Sequence, residues 1–180
     1  MRNDIEKVLF SEEEIQARVK ELGAQISHDY AGKNPLLVSV LKGSVVFMSD
    51  LMRAITIPCE IDFMVVSSYG AGVKTTGVVK INKDLDVPIE GRELILVEDI
   101  LDSGKTLHYL KGMLEDRNPR GIRIVTLLNK PEGRQAPIDA DYSGFTVPDA
   151  FLVGNGLDYA EKYRNLPDIG VLDPRIYAGK

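Results

Sequence analysis

The sequence predicts an α/β fold built on a largely parallel sheet, and three observations carry the prediction. Short apolar runs recur at Leu36 to Leu41, Ile61 to Val66, Leu94 to Val97 and Ile122 to Leu128, the most continuous of them suited to strands covered on both faces. Segments with helical apolar spacing alternate with these runs, which is the pattern of strand-helix-strand units. The 180 residues, 44% hydrophobic and 27% charged, have the profile of one globular domain, and the whole of 1–180 is expected to form a single unit.

The elements follow in chain order. Ser11 with Glu14 three residues later reads as a capping box, and Ile15, Val19, Leu22 and Ile26 then repeat at helical spacing to about Tyr30. Gly32 to Pro35 break that helix before the first core strand, Leu36 to Leu41. Val45, Val46, Leu51, Met52 and Ile55 give a helical stripe that stops before Pro58, and Ile61 to Val66 form the second strand. Ser67 to Thr76, rich in Gly, Ser and Thr, reads as a long loop of the kind that closes over sites. Val78 to Ile81 is a strand returning from it. Leu94 to Val97 is a buried strand ending in Glu98 and Asp99, Gly104 to Glu115 a helix, and Ile122 to Leu128 the next strand. The last fifty residues, with five of the nine prolines, read as short strands and turns covering one end of the sheet.

Composition excludes several classes of function. A net charge of −5 argues against nucleic acid as the main partner, because phosphate binding leaves a basic footprint. The single cysteine, Cys59, cannot form an intramolecular disulfide and reads as a buried small hydrophobe. His28 and His108 sit in no metal-ligand pattern. The N-terminal residues resemble no signal or transit peptide, and no apolar run approaches membrane-spanning length, so the expected location is cytoplasmic, with no membrane partner.

The stretch LILVEDILDSGKT, from Leu94 to Thr106, concentrates the chemistry. A buried strand delivers three carboxylates to a small-residue turn that opens a helix. Backbone N–H groups at such a helix start favour a phosphate, Ser103 and Thr106 add hydroxyl donors, and Gly104 lets an anion approach the backbone. The tail Ser-Gly-Lys-Thr also ends a nucleoside triphosphatase P-loop, but that loop needs a glycine where Asp99 stands, and a carboxylate there would repel the phosphates. Gly154-Asn-Gly156 lacks the third glycine of a dinucleotide fingerprint. Glu98, Asp99 and Asp102 beside an anion-binding turn instead suit a ligand with phosphate, hydroxyls and a hard cation, as ribose phosphate with magnesium provides.

This arrangement resembles the phosphoribosyl pyrophosphate motif of the phosphoribosyltransferases, and further segments resemble the hypoxanthine-guanine branch of that family. Leu41-Lys-Gly-Ser44 is similar to its pyrophosphate loop, Ser68-Tyr69 to the start of its mobile loop, and Leu127-Leu-Asn-Lys130 to the segment of its purine-reading lysine. Phe151-Leu-Val-Gly154, then Leu157-Asp-Tyr159 and Arg164, resemble its base-stacking and C-terminal segments. Asn155 departs from the pattern, since similar proteins often carry an aromatic residue there, which puts the packing beside Gly156 in question.

The resemblance implies a type I phosphoribosyltransferase fold, a mostly parallel sheet flanked by helices with a small hood from the chain ends. It implies that Asp102 handles the proton on the purine imidazole ring and that Glu98, Asp99, Ser103, Gly104, Lys105 and Thr106 hold the phosphoribosyl group, with Lys105 supporting the turn from outside. Lys42, Gly43, Ser68, Tyr69 and Arg164 would meet pyrophosphate, with a non-proline cis bond between Leu41 and Lys42. Lys130, Phe151, Leu152 and Asp158 would bind the purine, and Glu98, Asp99 and Asp158 would hold Mg2+. Phosphoribosyl pyrophosphate and a 6-oxopurine are the implied substrates, in a homodimer or homotetramer.

Each residue also has a plainer reading. Asp102 suits an N-cap, Glu98 and Asp99 a wet strand end, Phe151 the core, and Lys42, Asp158 and Arg164 an ordinary charged surface. A regulatory RNA-binding protein on the same fold and a P-loop kinase are the rivals from other classes; the acidic charge disfavours the first and Asp99 the second.

Overall fold

The structure is a computed structural model that describes residues 1–68 and 79–178, with Ser68 described by its backbone alone. A strand Ile5–Phe10 (β1) precedes the first helix, Glu12–Asp29 (α1). Ser11 caps this helix as its residue types require: Ser11 Oγ accepts from the Glu14 N–H at 3.3 Å, and Glu14 Oε2 accepts from the Ser11 N–H at 2.8 Å. Three glutamates in the first turn complement the helix dipole. Then come Leu36–Leu41 (β2), Val45–Ala54 (α2), Glu60–Ser68 (β3), Val79–Lys83 (β4), Glu93–Leu101 (β5), Lys105–Glu115 (α3) and Gly121–Asn129 (β6). Tyr142–Thr146 (β7), Leu152–Val153 (β8), Ile169–Leu172 (β9) and the short Pro174–Tyr177 (α4) complete the order.

The main sheet has six strands in the order β4-β3-β2-β5-β6-β7. Every pair in it is parallel except β3 with β4. The chain leaves β2 to form β3 on one side and later returns to form β5 on the other. The order therefore reverses between β2 and β5, and their carboxyl ends open into the crevice where ligands bind in such sheets.

Two apolar layers sandwich the sheet. Ile15, Val19, Leu22 and Ile26 of α1 join Phe47, Met48 and Leu51 of α2 against Leu37, Ile95, Val97, Val125 and Leu127. Gly23 makes the α1–α2 contact close, since a Cβ there would lie 2.6 Å from that of Ala54. On the opposite face, Leu107, Leu110 and Leu114 of α3 pack on Leu36, Val38, Leu94, Leu96 and Ile124. Phe47 is fully buried, and its truncation to alanine would cost about 3–5 kcal/mol. A second, three-stranded antiparallel sheet, β1-β9-β8, joins the two ends of the chain, with Ile5 opposite Leu172 and Leu152 opposite Val171.

Several sequence expectations are corrected. The strand expected over Ile61 to Val66 runs from Glu60 to Ser68, so Ser67 and Ser68 belong to β3 and not to a loop; Asn82 of β4 donates to Ser67 Oγ at 3.1 Å. The rest of the expected loop, with Tyr69, lies outside the described residues. β5 does not end at Glu98 and Asp99 but continues to Leu101, because Glu98 and Ile100 stay in register with Thr126 and Leu128. Strand β7 does not cover the end of the sheet; it extends the sheet's edge, parallel to β6. Cys59 is half-buried at the margin of the core instead of inside it. Among the described residues no helix is long and apolar enough to cross a membrane.

Candidate active site

The turn after β2 is rigid from below. Ser44 Oγ donates to Val40 O at 2.5 Å, and Ser39 Oγ lies 2.6 Å from Ser44 Oγ, both serines being fully buried. The Leu41–Lys42 peptide is cis, and Lys42 projects into solvent. A Cβ on Gly43 would stand 2.0 Å from Asp99 Oδ2, so any side chain here would displace that carboxylate. The glycine thus brings the β2 turn against the acidic pair of β5.

Glu98 and Asp99 occupy β5 where it leaves the core. Desolvation pushes both carboxyls up; Glu98 rises well above its ordinary range, with the Asp99 charge adding to the effect, while the Ile100 N–H, 2.8 Å from Asp99 Oδ1, restrains Asp99. Asp99 is buried and Glu98 half-buried, and a desolvated pair of this kind gains from a cation or from hydroxyl donors. Beyond it, Asp102, Ser103, Gly104 and Thr106 line a cleft of about 240 Å³ together with Glu98 and Val40.

The N-cap of α3 is Gly104, at φ +76, and not Asp102. The first backbone bond of the helix runs from the His108 N–H to Gly104 O at 2.8 Å, so among the described residues the N–H groups of the helix before it have no backbone partner and can meet an anion. Lys105 is the first helical residue, half-buried beside the turn. The turn is braced from beneath by a segment that sequence reasoning passed over. Ser103 O accepts from the N–H groups of Gln135 at 2.9 Å and Ala136 at 3.1 Å. Arg134 donates to Ile138 O at 3.1 Å, to Leu101 O at 3.4 Å and to Asn129 Oδ1 at 2.5 Å. With its carbonyls held below, the turn offers its amides above.

Lys130 follows β6 and is anchored by its own N–H to Leu101 O at 3.0 Å, which sets it beside the end of β5. Its ammonium lies 3.3 Å from Asp102 Oδ2 and 2.6 Å from Asp149 Oδ1, and the residue is 8% exposed. Burial alone would push Lys130 down, but its hydrogen bond to Asp149 and the charge of Asp102 outweigh that and hold it above the ordinary lysine value. Asp102 remains half-exposed toward the cleft. A Cβ on Gly133 would meet Asp102 Oδ1 at 1.9 Å, so the glycine lets the Asp102 carboxylate lie close against this segment.

Phe151 precedes β8 and is 40% exposed even though Tyr177 stacks on it at 5.1 Å and Tyr159 meets it edge-on at 5.6 Å. It is neither the core residue of the plainer reading nor a free ring: one side is braced and part of it stays open. Leu152 is buried in β8. Gly156, at φ +98, lets its segment rest on the β2 turn, since a Cβ would lie 2.1 Å from Gly43 O. Arg164 closes this segment by donating to Gly156 O at 2.8 Å, and pairs with Asp158 Oδ1 at 2.9 Å. Asn155 is buried at φ +46; its N–H donates to Leu166 O at 2.8 Å, and its Nδ2 has no hydrogen-bond partner among the described residues.

The fold therefore gathers Lys42, Gly43, Asp99, Asp158 and Arg164 on one side, and Glu98, Asp102, Ser103, Gly104, Thr106 and Lys130 on the other. Asp158 does not converge with Glu98 and Asp99 into a ready metal cage, and no group of three potential ligand side chains does so among the described residues. Asp149, Arg134 and Glu161, which touch the site residues, carried no local signal in the sequence: each is a charged residue in a turn.

Comparison with known proteins agrees with this geometry. Residues 9–161 match the family model described as the phosphoribosyl transferase domain. A protein of Bacillus subtilis strain 168 named hypoxanthine-guanine phosphoribosyltransferase is 58% identical over 177 residues, which are 98% of each chain. A Listeria innocua protein named bifunctional protein TilS/HprT is 54% identical over 178 residues; these are 99% of this chain and 28% of that protein's length. The crystal structure of a hypoxanthine phosphoribosyltransferase from Staphylococcus aureus superposes with a TM-score of 0.96 at 51% identity, covering 98% of this chain and 96% of that one.

Proposed function

Because the chain belongs to the phosphoribosyltransferase family, we propose that it transfers the 5-phosphoribosyl group of phosphoribosyl pyrophosphate to hypoxanthine or guanine, giving IMP or GMP and pyrophosphate in purine salvage. One observation carries the choice of base. Lys130, a buried donor at the carboxyl end of β6, stands beside Asp102 at the mouth of the anion turn. Lysine only donates hydrogen bonds, and a 6-oxopurine offers it an acceptor where adenine offers donors.

The free N–H groups of the Ser103 to Thr106 turn hold the 5-phosphate, with the Ser103 and Thr106 hydroxyls. Lys42, Gly43, Ser68, Tyr69 and Arg164 receive the pyrophosphate end. Phe151 stacks the purine, the Leu152 backbone meets its N1–H, and Asp158 lies toward the base edge. As the bond from the anomeric carbon to the pyrophosphate oxygen breaks, the electron pair leaves with pyrophosphate and the base nitrogen bonds to that carbon. Asp102 takes the proton that the imidazole ring gives up. Lys42 and Arg164 neutralise the departing charge, and no side chain acts as a nucleophile.

Magnesium fits this site. The carboxyls of Glu98 and Asp99, pushed up by desolvation, favour a hard cation. The absence of a closed protein cage among the described residues suits an ion that keeps water and substrate oxygens in its shell. Glu98 and Asp99 are the residues assigned to one ion and Asp158 to a second, and when bound the metal would supply charge neutralisation for the phosphates. A cytoplasmic homodimer or homotetramer acting without nucleic acid is the accompanying reading, of which the net charge of −5 supports the absence of a nucleic-acid partner.

The test is product formation from each purine with phosphoribosyl pyrophosphate and magnesium. IMP and GMP are expected; no nucleotide from either base, or ATP hydrolysis in their place, overturns the reading.

A further inference from the structure

The two cations assigned to pyrophosphate are joined by a carboxylate. Lys42 Nζ lies 3.1 Å from Glu161 Oε2, and Arg164 Nη2 lies 3.3 Å from Glu161 Oε1. The placement comes from the backbone. Gly156 seats its segment directly on Gly43, which carries residues 158 to 164 over the Lys42 turn. Ala160, Glu161 and Tyr163 then adopt left-handed φ values of +50, +62 and +77, uncommon for residues with a Cβ. Asp158 Oδ2 accepts the Glu161 N–H at 2.9 Å and fixes the sharp reversal. The chain thus adopts a disfavoured conformation that puts the Glu161 carboxylate between Lys42 and Arg164 at the mouth of the crevice, where Asp158 Oδ1 also holds Arg164 Nη2 at 2.9 Å.

We infer that Glu161 is a built-in competitor for pyrophosphate. Its carboxylate occupies the Lys42–Arg164 pair before substrate arrives, gives way to the pyrophosphate end of the substrate, and returns to hasten the release of product pyrophosphate. This inference rests on the assignment of Lys42 and Arg164 to pyrophosphate. Glu161 and Lys42 are both mostly exposed, so their ion pair is weak and yields to a ligand of higher charge. Once pyrophosphate is bound, the displaced carboxylate remains close to it on the same short turn, and like-charge repulsion favours dissociation. A carboxylate serving only to order the loop acts in the opposite sense, since its removal loosens Arg164 and weakens binding.

The experiment measures pyrophosphate binding in magnesium buffer, and pyrophosphate inhibition of nucleotide formation, for the full chain and for Glu161→Gln, Lys42→Ala and the double variant. Glu90→Gln, at the opposite end of the sheet, controls for net charge. Glu161→Gln is expected to bind pyrophosphate about five-fold more tightly and to be inhibited at correspondingly lower concentration, with the purine KM unchanged. The gain should shrink on the Lys42→Ala background and be absent in Glu90→Gln. Unchanged or weaker binding in Glu161→Gln, with Lys42→Ala still impaired, overturns the competitor role and leaves the pyrophosphate assignment standing. Unimpaired binding in Lys42→Ala removes that assignment and the competitor role with it.

Discussion

Lys130 Nζ lies 3.3 Å from Asp102 Oδ2, so the residue proposed to read the base is ion-paired to the residue proposed to handle its proton. Asp149 grips the same ammonium from the other side at 2.6 Å. On that proposal the pair couples recognition to chemistry, because a base that engages Lys130 is presented to Asp102.

Asp102→Ala is expected to lower turnover by about 10²–10⁴, the usual contribution of a positioned base, with little loss of phosphoribosyl pyrophosphate affinity. Because Gly104 and not Asp102 caps α3, thermal stability should hold. Single-turnover kinetics with a separate binding titration checks both halves, and near-normal turnover removes Asp102 from the mechanism.

The enzyme should reject adenine. A site that hydrogen-bonds the 6-oxo group through a buried lysine discriminates by about 10⁴ or more, because adenine leaves donors facing donors. Adenine and hypoxanthine are supplied at equal concentration and the nucleotides separated. Comparable yields would sink the role of Lys130.

Two glycine-to-alanine changes should part ways. Gly43→Ala puts a methyl group 2.0 Å from Asp99 Oδ2, so the acidic pair must move; phosphoribosyl pyrophosphate use should fall by about ten-fold or more, on the scale expected when a site residue shifts by about 1 Å. Gly112→Ala meets nothing within 4 Å on α3 and should stabilise by about 0.5–1 kcal/mol without touching activity. Denaturant melts and steady-state rates on both variants decide the matter.

Asp62 should set part of the acid limit. Burial pushes its carboxyl up, but the N–H groups of Phe63 at 2.7 Å and Asp86 at 2.8 Å, with Lys83, outweigh that, and it lies below the ordinary 3.8. A depressed folded pKa means that the unfolded chain binds the proton first. The contribution is therefore full above 3.8 and lost as pH falls through the lower folded value. Asp62→Asn should lose about 1–3 kcal/mol at neutral pH and show a flatter loss of stability on acidification. Melts between neutral and strongly acid pH test this; parallel curves for the two proteins contradict it.

How much of the molecule was legible depended on range. The capping box at Ser11 and the run Leu36–Leu41 were readable because their signals lie within one turn or one strand. β1 was not, since none of its residues is buried and they show no alternation, and it exists because Ile169–Leu172 at the other end of the chain pairs with it. The full length of β5 was hidden for a similar reason: carboxylates end an apolar pattern, yet pairing with β6 keeps Glu98 and Asp99 in the strand.

The sequence by itself determined the chemical groups available to this protein: the small-residue turn that opens α3, the acidic pair before it, and Asp102 and Lys130 at the ends of buried strands. These follow from local backbone geometry and from residue type, which no distant contact is needed to specify. Only the tertiary structure decided which charges meet. The parallel pairing of β5 with β6 brings Asp102 to Lys130, and the close seats at Gly43 and Gly156 bring Glu161 to Lys42. Charged side chains in turns carry no periodicity, and their partners are set by where the sheet and its second layer place them in space.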